Sequence, residues 1–160
     1  MQINNMKYLK TFLLCLIPSM FMSNTHADSD FESKDYYDKA KVLSRCAGDF
    51  EFQSAMSDIQ GNDKSIVKLL HEHANGWLTA GMANYYFSGL TREAAKISAQ
   101  GDKETRETAL VSGLATIDPK NKDEVGKYLL ETLDKVKYCS SLDPYVVESQ
   151  KKLKKAWLSR

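Results

Sequence analysis

The chain has 160 residues, with 22 basic and 21 acidic side chains and a hydrophobic fraction of 42%. That is the size of one ordinary globular domain, and so even a charge balance gives no electrostatic reason to expect nucleic acid. Three cysteines with no Cys-x-x-Cys spacing leave no covalent haem site and no vicinal redox pair.

The first element is a leader. MQINNMKYLK carries Lys7 and Lys10 and no acid, the run Thr11 to Met22 is apolar, and SNTHA places Thr25 and Ala27 where a signal peptidase reads small residues. The apolar run is shorter than the roughly 20 residues a membrane span needs, and it contains Pro18. Cys15 follows Leu14, whereas lipoprotein processing wants a small side chain before the cysteine. The expectation is cleavage of residues 1–27, export to the periplasm or the extracellular medium, and a single helical domain over residues 28–160. The leader removes two lysines and no acid, so the mature chain stays close to neutral.

The elements that follow are helical in pattern. Tyr36, Ala40, Leu43, Ala47 and Phe50 alternate spacings of four and three and predict a helix over 33–59, with Cys46 beside its apolar face. Gly61 and Asn62 interrupt it. Asp63 is placed to cap a second helix carrying Ile66, Leu70, Ala74, Trp77, Gly81 and Tyr85 on one side and ending near Ser88–Gly89. Thr91 caps a third segment, in which Gly101–Asp102 reads as a stop and restart before Leu110, Val111, Leu114 and Ile117; one bent helix and two separate ones both satisfy the pattern. Asp118–Pro119 and Asp143–Pro144 each pair a capping carboxylate with a proline at the first helical position, and each predicts a helix start. The former helix carries Val125, Leu129, Leu133 and Val136 toward Cys139, and the latter carries Val146, Leu153 and Trp157. No segment alternates with period two, so the expected fold is an all-α bundle of five or six helices.

Cleavage removes Cys15 and leaves Cys46 and Cys139 in an oxidising compartment, where a matched pair joins. The pairing predicts helices packed side by side with Cα atoms about 5 to 6 Å apart. On the chain-entropy model, closing so long a loop stabilises by roughly 4 to 5 kcal/mol.

Chemistry-bearing patterns are sparse. His71 and His73 lie two apart, which on a helix turns them about 200° from one another, whereas helical zinc pairs use a spacing of four. Glu32–Ser33 and Glu148–Ser149 match the Glu-Ser step of wall-cleaving transglycosylases without the surrounding motifs, and no Gly-x-Ser-x-Gly elbow displays a nucleophile. The sequence therefore assigns no catalytic residue, no cofactor and no metal site. Two surfaces stand out instead. Tyr85, Tyr86 and Phe87 are consecutive and span roughly 200° of helix arc, wider than one buried stripe, which marks them as a candidate partner surface. Lys151, Lys152, Lys154 and Lys155, interleaved with Leu153, Trp157 and Leu158, form a candidate basic surface for membrane or cell-wall contact, against the simpler reading of a solvated face favoured by the helix dipole. The functional expectation is a small exported helical binding protein that engages a protein partner or itself, such as an inhibitor or immunity-type factor for an envelope-acting enzyme. The alternative is a small envelope hydrolase or chaperone-like factor. Periplasmic chaperones and toxin-neutralising immunity proteins share this general plan, which is an analogy of architecture alone.

Overall fold

The computed structural model describes residues 29–159, so the leader and its expected cleavage point lie outside the described residues. Within them the chain forms α1 (Ser29–Ser33), α2 (Tyr36–Ile59), α3 (Lys64–Phe87), α4 (Arg92–Ala115), α5 (Lys122–Ser141) and α6 (Asp143–Leu158), and no strand. No helix among them is long and apolar enough to cross a membrane.

Local chemistry sets most boundaries. Asp35 accepts from the Asp38 N–H at 2.9 Å and starts α2 there, so the stretch expected as one helix from residue 33 is broken at Lys34–Asp35 and leaves α1 as a separate turn. Asp63 caps α3 through the Ser65 N–H at 2.7 Å, and Thr91 caps α4 through the Ala94 N–H at 3.2 Å, both as the sequence indicates. Gly61 (φ 67°) and Gly89 (φ 106°) make the left-handed turns out of α2 and α3.

Two boundaries differ from expectation. The helix expected at Pro119 opens at Lys122, because Asp118 turns its carboxylate onto the Lys120 N–H (2.9 Å) and Asn121 takes the cap by accepting from Glu124 N–H (3.2 Å). Asp143 occupies the first helical position of α6 instead of its cap, and Leu142 precedes it without a side-chain hydrogen bond. Between Thr91 and Thr116 the chain is one helix, running straight through Gly101.

Helix α2 is the centre of the bundle, touching α3, α4 and α5, while α6 packs on α3. Its face from Ala40 through Leu43 and Ala47 to Phe50 is buried as the spacing predicts, whereas Tyr36 at the helix start stays 43% exposed. Small residues let the axes come close. A Cβ on Gly81 would stand 2.1 Å from Ser44 Oγ, and one on Gly48 would stand 2.8 Å from the Lys103 backbone oxygen. The main apolar cluster gathers Leu43, Phe50, Trp77, Val136 and Leu142 around the disulfide. Cys46 and Cys139 are joined with Cα atoms 5.6 Å apart across 93 positions of sequence, which staples α2 to α5. Asp49 also lies within reach of both sulfurs, but the sulfurs bind each other and are not free to ligate a metal.

Candidate binding site

The break at Lys34–Asp35 lets α1 lie against α6. Phe31 is fully buried, with its ring centroid 4.9 Å from that of Tyr145, and the Tyr145 hydroxyl donates to the Glu32 carboxylate. Lys39 ties the same turn to α2 by donating to the Glu32 carbonyl at 3.0 Å. Where α1, the start of α2, the end of α3 and α6 converge, they enclose a pocket of about 350 Å³.

Its walls are aromatic. Phe31 and Tyr145 form one ring pair, between α1 and α6; Tyr36 and Phe87 form another, 5.8 Å apart, between α2 and α3. Leu43 and Asn84, which is only 3% exposed, are among the lining residues most deeply set. The Asn84 amide donates to the Ala80 carbonyl and to Ser149 Oγ, both at 2.9 Å, which uses both amide hydrogens. Its Oδ1 accepts no hydrogen bond among the described residues, and Ser149, already an acceptor, retains its own proton to donate.

Charge is arranged around these groups. Lys152 donates to Glu148 at 2.7 Å, and this bond is the main cause that holds the Glu148 carboxyl below and the Lys152 ammonium above their usual ranges. Lys34 pairs with Asp30, and Asp35 is committed to the α2 cap. Lys39 faces a carbonyl and the Phe31 ring, 5.8 Å to its centroid, and forms no ion pair among the described residues. The Tyr145 hydroxyl, bonded to Glu32, is pushed up to about 12 and stays protonated. The Glu148–Lys152 pair thus stays charged through the neutral range.

The residues singled out from the sequence are distributed as follows. Tyr85 is core: its ring is buried between α2 and α4, its hydroxyl donates to the Asp102 carboxylate, and burial first and Asp102 second raise its pKa well above the phenol range. Tyr86 is half-buried against the apolar cluster shared by α2, α3 and α4. Phe87 lines the pocket. Lys152 is at the pocket as well, while Lys151, Lys154 and Lys155 border a shallow depression with Leu158, which is 77% exposed. Nearby, Arg92 lies 4.0 Å over the Trp157 ring. His71 is exposed beside Glu51 at 2.9 Å, and His73 stacks on Phe50, which stacks in turn on Trp77.

Tyr36, Lys39, Tyr145 and Asn84 were not evident as site residues. Asn84 did leave a signal, a polar side chain three positions after Gly81 on a stripe that is otherwise apolar. The rings of Tyr36 and Tyr145 left none, because the segments that carry them meet Phe87 only in the fold.

No protein-family model, curated protein or solved structure matches the chain. Fold and site together define a class by themselves, an all-α bundle stapled by a disulfide and presenting an aromatic-walled pocket with an unused acceptor, a donor and a cation.

Proposed function

We propose that this is a small exported binding protein, periplasmic or extracellular, that engages a partner through the pocket lined by Tyr36, Phe87 and Tyr145. The observation that carries the reading is Asn84: both its amide hydrogens are used within the protein, and its oxygen opens to the pocket with no partner among the described residues, placed to accept from a bound group. Export is supported by the leader sequence, and the disulfide is compatible with an oxidising compartment. Rigid rings offer large contact area at low entropic cost, which suits recognition of a protein, as an inhibitor or immunity-type factor for an envelope-acting enzyme requires.

The hydrolase reading receives less support from the same pocket. Its carboxylate Glu148 would have to hold a proton to act as a general acid, and Lys152 keeps it ionised. The test is affinity capture from the envelope fraction, with mass spectrometry of what is retained. Wild type and an Ile59→Ala control are expected to hold the same defined partner, and a Tyr36→Ala/Phe87→Ala variant to lose at least ten-fold of it while keeping a cooperative melt. Undiminished capture by the folded double variant would overturn the proposal.

A further inference from the structure

The pocket's own chemistry narrows what enters it, and the narrowing rests on the reading that the pocket is the binding site. We propose that it receives the free carboxyl end of a peptide whose last side chain is apolar. Each part of such a chain end has a counterpart on the walls. The rings of Tyr36, Phe87 and Tyr145 offer apolar surface for one side chain, with Phe31 buried behind Tyr145. Asn84 Oδ1 is an acceptor awaiting a donor, which a backbone N–H supplies. Ser149, whose oxygen already accepts from Asn84 at 2.9 Å, retains a proton for a carboxylate or carbonyl oxygen.

Charge then selects among ligands with that shape. Lys34 and Lys152 have carboxylates in ion-pair contact, whereas Lys39 makes no such contact among the described residues: it donates to the Glu32 carbonyl, lies over the Phe31 ring and acts on Glu148 at longer range. Lys39 is thus the pocket lysine with room for a direct ion pair to a ligand carboxylate. A cationic ligand would meet three lysines, and a polyanion would meet Asp35 and Glu148. A purely apolar group would leave the Asn84 acceptor and the Lys39 ammonium desolvated without compensation. About 350 Å³ suits one residue with its terminus and is too small for a helix, whose overall diameter is about 10–12 Å.

The same chemistry occurs at the end of a protein chain and at the end of a wall stem peptide, and the test separates them. The exported protein, disulfide intact, is titrated by ¹⁵N chemical-shift perturbation with acetyl-Gly-Gly-Leu as the free acid, with its C-terminal amide, and with a peptide ending in D-alanyl-D-alanine. One of the acids is expected to bind at least ten-fold more tightly than the amide, with shifts centred on Asn84, Phe87 and Ser149. Tighter binding of the L-leucyl acid indicates a protein chain end, and tighter binding of the D-alanyl peptide indicates the wall. Lys39→Gln should erase the acid-over-amide preference, whereas Lys155→Gln should leave it unchanged; the two melting curves show that both variants are folded. Equal binding of acid and amide, or no binding of either at millimolar concentration, overturns the inference. If peptides fail in this way while Tyr36→Ala/Phe87→Ala still abolishes partner capture, the pocket is a protein-binding site without carboxylate readout and only this inference falls.

Discussion

A carboxylate buried beside a disulfide needs a counter-charge, and for Asp49 that is Arg106. The residue is 6% exposed and accepts from Arg106 Nε at 2.9 Å, with a second guanidinium nitrogen at 2.8 Å. Even so, desolvation is the larger influence, and the Asp49 carboxyl lies above its usual value of 3.8. A raised carboxyl means that the folded state holds the proton more tightly than the unfolded one. The stability linked to that proton is therefore present at low pH and is lost as pH rises through the folded value. Replacing Arg106 by Met removes the hydrogen bond and the larger positive influence that lower Asp49, and leaves a buried carboxylate with only the weaker pull of Lys135. The expected loss is about 3 kcal/mol at pH 7, narrowing as pH falls toward 4 and Asp49 takes up a proton. Denaturant midpoints of wild type and variant at both pH values check this, and a loss independent of pH would show that Arg106 acts through packing. Of these residues the sequence made only the cysteines legible, because setting Cys15 aside with the expected leader leaves a single pairing to choose. Asp49 and Arg106 are 57 positions apart and look like ordinary surface charges until α2 and α4 are packed together.

Elements were legible where a side chain talks to its own backbone. The caps at Asp63 and Thr91 and the turns at Gly61 and Gly89 follow from interactions within a few residues. The prediction at Pro119 failed for the same local reason. Asp118 bonded forward into a turn and Asn121, three residues later, was the better placed cap. Gly101 resembles a stop in sequence, yet in the fold it is a helical glycine facing open space, with nothing within 4 Å of where a Cβ would stand. Gly101→Ala should accordingly stabilise by about 0.5 to 1 kcal/mol through helix propensity alone. Gly48→Ala should do the opposite, losing 1–3 kcal/mol, roughly the cost of overpacking, since its Cβ would meet the Lys103 backbone oxygen at 2.8 Å and α2 and α4 would have to separate. Thermal melts of the two variants decide the matter. Destabilisation by Gly101→Ala would mean that α4 depends on a bend that the glycine permits.

At the scale of the molecule, the disulfide joins α2 to α5 through cysteines 93 positions apart in sequence, and its removal should act mainly by enlarging the unfolded ensemble. The Cys46→Ala/Cys139→Ala variant is expected to lose about 4 kcal/mol and more than about 10 °C in Tm, while its far-ultraviolet circular dichroism keeps the native helical signal at 20 °C. Loss of helix at that temperature would show that the bundle cannot form without the staple. All-helical architecture and this covalent link were readable from periodicity and cysteine number. The pocket was not, because it depends on α1 leaving the line of α2 and reaching α6, a tertiary event that a helical period does not encode. Binding at that pocket is the claim on which the functional account stands. Its most direct test is a photo-crosslinking amino acid placed at position 87 on the pocket wall, and separately at position 59 on the exposed end of α2, in the protein expressed in its own cells. The account predicts a discrete, light-dependent crosslinked species at position 87 that is missing at position 59; the same species at both positions, or none at 87, would contradict it.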